Sequence, residues 1–445
     1  MDFKKRIDEL RDEMVSSIQE LVKIPSVLSE GDDKYPFGEN IDKALRYTLS
    51  LCESLGFKVF YGDGYYGYAE IGQGDEMIGI LGHLDVVPEG EIDSWKFPPF
   101  AAVVNDGKIY GRGTQDDKGP TIAAIYAVKA LMDIGFKFNK RVRFIFGTDE
   151  ENLWRDMKKY IENEEIPSYG FTPDSTFPMI NAEKGLLQVI LRSKNISNVS
   201  FSGGTAFNSV PDKAVYSGEK MIDLAKELDR LGFEYEMNKD SILVTGKSSH
   251  AAKPEYGINA ICRLFIALKN IGIRSNCIDF VADIIKQTYN GENILPNCED
   301  NASGKLTVNV GKVTLNKDIE EIGLDIRIPV TFDKKVIEDA IKEKAKSYNL
   351  EYIEHDFLKA IYLPEDHVLI KTLKDVFEKE TGLDPTPLSS GGATYARAID
   401  NCVAFGAVFP GKPKVEHQAN EYVVIDDLVK AAKIYASAIY ELTKE

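Results

Sequence analysis

The stretch Met77-Ile-Gly-Ile-Leu-Gly-His-Leu-Asp-Val-Val87 is a nearly continuous apolar run. A strand that is covered on both faces of a sheet has this composition, because neither face meets water. A second run, Arg141-Val-Arg-Phe-Ile-Phe-Gly147, has the same texture, and residues 121–132 between the two are typical of a buried helix. The order strand, helix, strand predicts a largely parallel α/β sheet.

The pattern of predicted strands and helices changes further along the chain. Beyond about Gly185 the sequence changes to short alternating strands, and from about Asp366 it returns to a helix, a Gly-rich loop, an apolar strand and a last helix. We therefore predict one α/β domain that is interrupted by an α+β insert. Outside the insert, helices are predicted over 3–22, 41–55, 153–163 and 426–441, and a strand over 402–409. Within the insert, helices are predicted near 214–231, 259–268 and 335–347.

The composition excludes several classes of function. The chain has 445 residues with 54 basic and 71 acidic side chains, a formal net charge of −17. Such a surface opposes binding to nucleic acid or to anionic lipid. The five cysteines form no C-x-x-C pair, the N-terminus lacks the apolar stretch of a signal peptide, and no apolar run is long enough to cross a membrane. We predict a cytoplasmic protein without nucleic acid or membrane partners.

Acidic residues and a histidine follow the predicted strands directly. Gly82-His-Leu-Asp85 ends the first apolar run, and Thr148-Asp-Glu-Glu151 follows the second. The carboxyl ends of strands are where α/β sheets present functional side chains. A lone histidine is more often structural and a charge run is more often solvated. Here apolar strands lead straight into the acids, and a buried acid cluster needs a cation to offset repulsion and desolvation.

The loop Gly111-Arg-Gly-Thr-Gln-Asp-Asp-Lys-Gly-Pro120 adds two further acids. A phosphate-binding loop would have glycines and a lysine at Walker A spacing and would avoid paired carboxylates, so Asp116 and Asp117 argue against it. Carboxylates in a tight loop suit divalent cations. The loop is therefore predicted to contribute metal ligands.

These motifs, in their order and spacing, resemble those of the M20 metallopeptidases. The resemblance covers essentially the whole chain, and Glu183-Lys-Gly185 points to the dipeptidase V branch (PepV-like, Xaa-His dipeptidase or carnosinase-like). The motifs are His83-x-Asp85, the Gly111–Gly119 loop, Glu150-Glu151, Gly170-Phe-Thr-Pro-Asp174 and Glu416-His417-Gln-Ala-Asn-Glu421.

The resemblance implies a metal site with a role for each residue. His83, Asp116 and Asp174 would bind one zinc, and Asp116, Glu151 and His417 the other, so that Asp116 bridges. Glu150 would be the general base and acid, acting on a hydroxide shared by two Zn²⁺, with Mn²⁺ or Co²⁺ as possible replacements. Asp85 would orient His83. The Asp116–Asp117 peptide bond would be cis.

The resemblance also assigns substrate-binding residues to the insert and to a late loop. His250 would polarise the substrate carbonyl, and Asn208 belongs to a matching segment. Arg327 would bind the substrate carboxylate, since arginine suits bidentate recognition of carboxylates. An exposed strand arginine is the alternative. The loop that would hold the same carboxylate contains Gly391, Gly392 and Thr394.

The function implied is that of a hydrolase: a metal-dependent dipeptidase acting on short unblocked peptides. The alternatives are a deacylase of N-acyl amino acids or a desuccinylase on the same metal site, and a catalytically silent binding protein. The implied fold is a zinc-peptidase catalytic domain, residues 1–185 and 376–445, with an inserted α+β lid domain of two lobes, residues 186–375. A lid of this length further implies a monomer.

Overall fold

The computed structural model describes residues 2–32 and 34–444, which form two compact units. The first unit comprises residues 1–181, 363–388 and 393–445. The second comprises residues 182–362 together with 389–392. The chain therefore leaves the first unit and returns to it, as expected of a domain with an insert.

A mixed sheet forms the centre of the first unit. Its four middle strands, in the order β6, β3, β7, β22, are parallel, while β1 and β2 at one side and β9 at the other are antiparallel to their neighbours. All seven residues of β3 are buried, as the apolar run predicts. The strands of this unit, including β9 and β21 at its boundary, are β1 (Lys58–Gly62), β2 (Tyr66–Ile71), β3 (Met77–His83), β4 (Val103–Asn105), β5 (Lys108–Tyr110), β6 (Arg141–Gly147), β7 (Tyr169–Thr172), β8 (Ser175–Thr176), β9 (Ile180–Glu183), β21 (Leu388–Ser390), β22 (Cys402–Ala404), β23 (Ala407–Val408) and β24 (Tyr422–Val424).

Helices cover this sheet and complete its core. Two of them, α4 and α11, are rich in alanine, which allows close approach, and nearly every residue of α4 is buried. Both contribute to one hydrophobic core together with the central strands. The helices are α1 (Phe3–Glu9), α2 (Arg11–Val22), α3 (Glu39–Leu55), α4 (Lys118–Asp133), α5 (Arg155–Asn163), α10 (Val368–Thr381) and α11 (Ile425–Thr443).

The second unit contains two antiparallel sheets. One has five strands in the order β11, β17, β18, β10, β19, and the other has three in the order β12, β14, β13. Residues from both sheets and from the helices belong to a single hydrophobic core. The strands are β10 (Gly185–Ser193), β11 (Phe201–Gly203), β12 (Lys213–Tyr216), β13 (Tyr235–Met237), β14 (Ile242–Thr245), β15 (Glu299–Asp300), β16 (Gly304–Lys305), β17 (Thr307–Leu315), β18 (Glu320–Ile328), β19 (Leu350–Leu358) and β20 (Ile361–Tyr362). The helices are α6 (Met221–Leu231), α7 (Ala260–Asn270), α8 (Asn276–Phe280) and α9 (Lys334–Ser347).

Three predicted elements differ from the structure. The helix expected over 3–22 is divided into α1 and α2, with Leu10 between them. The helix expected near 214–231 begins only at Met221, because residues 213–216 form β12 with alternating exposed and buried side chains, the period of a strand. The strand expected over 402–409 is broken at Gly406, whose φ of 87° favours glycine. A Cβ on Gly406 would also lie 2.5 Å from the Tyr435 hydroxyl.

The boundaries of the two units also differ from the predicted ones. The expected second boundary, between residues 375 and 376, falls inside α10, and the whole of α10 lies in the first unit. The physical reason is its apolar face, which belongs to the same core as α11. The roles of the units as catalytic and lid domains remain a prediction. Among the residues that the structure describes, no helix is long and apolar enough to cross a membrane.

Candidate metal centre

Three of the predicted metal ligands, His83, Glu151 and Asp174, lie at or just beyond the ends of parallel strands of the first unit. His83 is the last residue of β3 and pairs in register with Gly147, the last residue of β6. Glu150 and Glu151 follow Gly147 by three and four residues, and Asp174 follows the end of β7 by two. Because the carboxyl ends of parallel strands meet at one edge of a sheet, residues distant in sequence converge there.

His83 is 1% exposed and is held from both ring nitrogens. Its Nδ1 lies 2.9 Å from the backbone carbonyl oxygen of Asp85 and donates to it, which directs Nε2 toward the acids. Nε2 is 2.8 Å from Oδ1 of Asp116 and 3.8 Å from Oδ2 of Asp174. Burial alone would lower the pKa of His83, but the hydrogen bonds to Asp116 and Asp85 outweigh it and hold the pKa well above its usual value.

Asp116 lies between two histidines. Its Oδ1 contacts His83, and its Oδ2 is 3.1 Å from Nε2 of His417. One carboxylate oxygen thus faces each imidazole, which is the arrangement a bridging ligand requires. The Asp116–Asp117 peptide bond is cis, which confirms the sequence prediction.

His417 comes from a loop and not from a strand end. Its side chain is 53% exposed and its φ is 61°. Nε2 lies 3.0 Å from Oε1 of Glu151 as well as close to Asp116. Hydrogen bonds to Asp116 and Glu151 raise the pKa of His417 to about 10.

The cluster carries more negative charge than its two histidines can offset. Ligand atoms of His83, Asp116 and Glu151 lie within 4.8 Å of one another, as do those of His83, Glu150 and Asp174. Burial and the neighbouring carboxylates raise the pKa values of Glu150, Glu151 and Asp174. Imidazole nitrogens and carboxylate oxygens suit divalent transition metals, which would supply the missing positive charge. The arrangement is a candidate metal site.

Comparison with known proteins identifies the family of the chain. Residues 79–441 match the sequence profile of peptidase family M20/M25/M40. The chain belongs to this family. It is therefore a hydrolase of the M20 peptidases, as the sequence motifs predict.

Relatives of the M20 chain extend over its full length. The protein named "Putative dipeptidase YtjP" of Bacillus subtilis (strain 168) is 39% identical over 469 residues, covering 100% of both chains. Among solved structures, human carnosine dipeptidase 1 has a TM-score of 0.61 at 15% identity, covering 99% of this chain and 98% of that one. The M20 family metallo-carboxypeptidase Sso-CP2 of Sulfolobus solfataricus has a TM-score of 0.60 at 21% identity, with coverages of 96% and 98%. These similarities confirm the predicted fold.

Asp85 has a wider part in the M20 site than the sequence suggests. The side chain is predicted to orient His83, and its Oδ1 lies 3.6 Å from Nδ1, while the backbone carbonyl of the same residue makes the closer contact. The buried carboxylate also accepts hydrogen bonds from the backbone N–H groups of Glu150 and Glu151, each at 3.1 Å. Asp85 thus joins the end of β3 to the acids that follow β6.

Two residues that the sequence did not single out support the same turn. Oδ2 of Asp156 accepts hydrogen bonds from the N–H groups of Thr148 at 2.6 Å and Asp149 at 3.1 Å, and the Tyr395 hydroxyl donates to it. The Tyr395 ring meets His83 edge to face, with centroids 6.1 Å apart. Burial raises the pKa of Asp156 to about 7. Tyr395 follows a motif residue directly, whereas no local pattern identifies Asp156.

The predicted substrate residues Asn208 and His250 lie in the second unit. The carbonyl of Asn208 accepts a hydrogen bond of 2.9 Å from the N–H of Ala251, and Ser209 pairs with His250 in an isolated β-bridge. Nδ1 of His250 accepts from the N–H of Ala252 at 3.1 Å. The structure thus brings the Asn208 and His250 segments side by side.

Arg327 is buried, 2% exposed, in contrast to the exposed alternative. Its guanidinium pairs with both carboxylate oxygens of Asp325, at 2.6 and 2.9 Å, and donates to the Gly391 carbonyl at 2.7 Å. Two predicted carboxylate-binding residues are therefore in direct contact. The N–H of Gly392 donates to Oγ of Ser390 at 2.9 Å in the same unit. Thr394 lies in the first unit and caps the 3₁₀ segment Tyr395–Ala398.

Proposed function

We propose that this M20 peptidase is a metal-dependent dipeptidase that hydrolyses short unblocked peptides. One observation carries the proposal: the Asp116 carboxylate lies between His83 and His417, 2.8 and 3.1 Å from their Nε2 atoms. A carboxylate in this position suits two metal ions side by side. The names of full-length relatives support dipeptides as the substrate class.

The proposed ligand sets are those that the resemblance implies, and these contacts support them. His83, Asp116 and Asp174 would hold one ion, and Asp116, Glu151 and His417 the other. When bound, the pair supplies Lewis acidity, which polarises the scissile carbonyl and makes water nucleophilic at neutral pH. We propose Zn²⁺ for both positions, with Mn²⁺ or Co²⁺ compatible with the same donors.

Glu150 is proposed to move the proton. It lies next to the ligand Glu151, and its backbone N–H is fixed by Asp85. Burial and the neighbouring acids Glu151 and Asp116 raise its pKa, which makes this carboxylate a stronger base than an exposed one. Glu150 would accept a proton from the attacking water and return it to the leaving amine, so one group serves as base and then as acid.

The second unit is proposed to recognise the ends of a short peptide. The roles of His250 and Asn208 toward the substrate carbonyl, and of Gly391, Gly392 and Thr394 toward its carboxylate, remain predictions. Arg327 already binds Asp325 and Gly391, so we propose that it acts on the carboxylate through the loop it holds. A cytoplasmic location and a monomeric state are likewise predictions.

A substrate panel tests the function. Purified protein loaded with Zn²⁺, Mn²⁺ or Co²⁺ is assayed on unblocked dipeptides, the same dipeptides with acetylated N-termini, and N-acyl amino acids. Hydrolysis of the unblocked dipeptides above the other two classes supports the proposal. Preference for N-acyl amino acids would identify the deacylase alternative. Absence of hydrolysis of any member, at the level of a Glu150→Ala control, would contradict both.

A further inference from the structure

The His417 loop, residues 413–421, differs from the segments of His83, Glu151 and Asp174, which end or follow strands of the central sheet. The side chain of His417 is more than half exposed, so packing does not fix it. His83, in contrast, is the buried last residue of a strand with neighbours on both sides. Some other feature must hold His417 at 3.1 Å from Asp116.

One end of the loop is anchored by Gln115, the residue before Asp116. Its side-chain Oε1 accepts a hydrogen bond of 2.8 Å from the N–H of Val415. Its Nε2 donates to the carbonyl of Pro413 at 3.4 Å. A single amide side chain thus makes hydrogen bonds to the loop backbone at the positions two and four residues before His417.

The other end is anchored by Glu421, which is completely buried. Its Oε1 accepts from the backbone N–H groups of Gln115 at 2.9 Å and Asp116 at 3.3 Å. Its Oε2 pairs with Nη1 of Arg112 at 2.7 Å, and the same Nη1 donates to the carbonyl of Gln418 at 3.2 Å. These bonds all join the loop to residues 112–116.

We infer that Gln115, with Arg112 and Glu421, positions His417 against Asp116 and thereby sets the affinity of the metal position that these two share with Glu151. The inference rests on the proposed two-metal function. The other position would be formed by His83, Asp174 and the same bridging Asp116, and the contacts of the Gln115 side chain go to Val415 and Pro413 and not to these three side chains. Outer residues that orient metal ligands typically change affinity by about 10–100-fold. Loss of the Gln115 side chain should therefore weaken the position that includes His417 and leave the other largely unchanged.

Gln115→Ala is the sharpest test, because it removes the contacts to Val415 and Pro413 without changing any charge near the metals. Gln19→Ala is a matched control: Gln19 also donates from a half-buried amide to a backbone carbonyl, that of Ala102 at 2.8 Å, on a different element. Stepwise Zn²⁺ binding to metal-free protein is measured by titration calorimetry, together with the metal content and the thermal midpoint of the metal-free form.

Wild type and Gln19→Ala are expected to bind two ions. Gln115→Ala is expected to lose about 10–100-fold in one of the two steps and to keep the other. The thermal midpoint of its metal-free form is expected to stay close to that of Gln19→Ala. Equal weakening of both steps, or no weakening, would overturn the inference. Fewer than two ions on the wild type would instead overturn the proposed function itself.

Discussion

Two buried clusters of charged side chains, one in each unit, differ in their balance of charge. In the second unit Asp325 and Arg327 form a closed pair with two hydrogen bonds. In the first unit the acids around Asp116 outnumber the histidines, and the pKa values of Glu150 and Asp174 are raised by burial and mutual repulsion. A balanced pair serves the fold by itself, whereas an excess of carboxylates needs a cation from solution. The contrast separates a structural ion pair from a candidate metal centre.

The largest expected effect is the loss of activity on substitution of Glu150, the acid of the cluster that we propose transfers the proton. Glu150→Gln should lower kcat for a dipeptide by about 10²–10⁴-fold, because a proton-transfer group is lost while the shape is kept. The measured metal content should remain that of the wild type, since Glu150 is not a proposed ligand. Glu162→Gln, on the exposed face of α5, serves as the control. Loss of both metal and activity in Glu150→Gln would make Glu150 a ligand.

The contribution of the Asp325–Arg327 pair to stability is tested by replacing Arg327. Arg327→Met leaves Asp325 buried with no cation and should lower the free energy of unfolding by about 3–5 kcal/mol in urea denaturation. Adding Asp325→Leu to that variant should restore most of the loss. Arg274→Met removes a more exposed pair with Asp279 and should cost at most about 1 kcal/mol. An Arg327→Met variant as stable as Arg274→Met would remove the contrast between the units.

A pH titration of the metal-free protein extends the comparison to Asp156. Its pKa is raised to about 7 by burial, so the folded state binds a proton that the unfolded state releases near pH 4. The free energy of unfolding should therefore fall as the pH rises through this interval, by up to about 1.4 kcal/mol per pH unit for one proton. Asp156→Asn should flatten that slope. A slope equal to that of the wild type would show that Asp156 is ionised throughout.

The smallest expected effect is a change in the free energy of unfolding when one buried aspartate loses its charge, and its sign should differ between the two units. Asp174→Asn removes one negative charge from the cluster with excess carboxylates. It should therefore stabilise the metal-free protein at pH 8, by on the order of 1 kcal/mol. The same change in the balanced pair, Asp325→Asn, should destabilise it. Urea denaturation with a chelator present measures both. Destabilisation by Asp174→Asn would mean that the acids are compensated within the protein.

Much of the site could be predicted because its residues belong to short local sequence patterns. Apolar runs that end in His83 and in Glu150-Glu151 place those residues at strand ends, and the strand ends meet in the sheet. The pairing of Asp325 with Arg327 was also accessible, since residues two apart on a strand share a face.

The contacts that position these residues could not be predicted in the same way. Gln115 and Val415 are 300 residues apart, and no periodicity links them. The hydrogen bond from the N–H of Thr148 to Asp156 depends on where α5 begins relative to β6, which tertiary packing determines. The boundary at α10 was misplaced for the same reason, because its partner helix α11 lies about 50 residues further along the chain.

We propose that the unbalanced acids of the first unit hold two divalent metals, which the hydrolysis of dipeptides requires. One sample tests it: metal content and dipeptide hydrolysis are measured before chelation, after chelation and on stepwise return of Zn²⁺, Mn²⁺ or Co²⁺. We predict two ions per chain, loss of hydrolysis on chelation, and its return as the ions are restored. Hydrolysis that persists in the metal-free protein, or binding of fewer than two ions, would contradict the account.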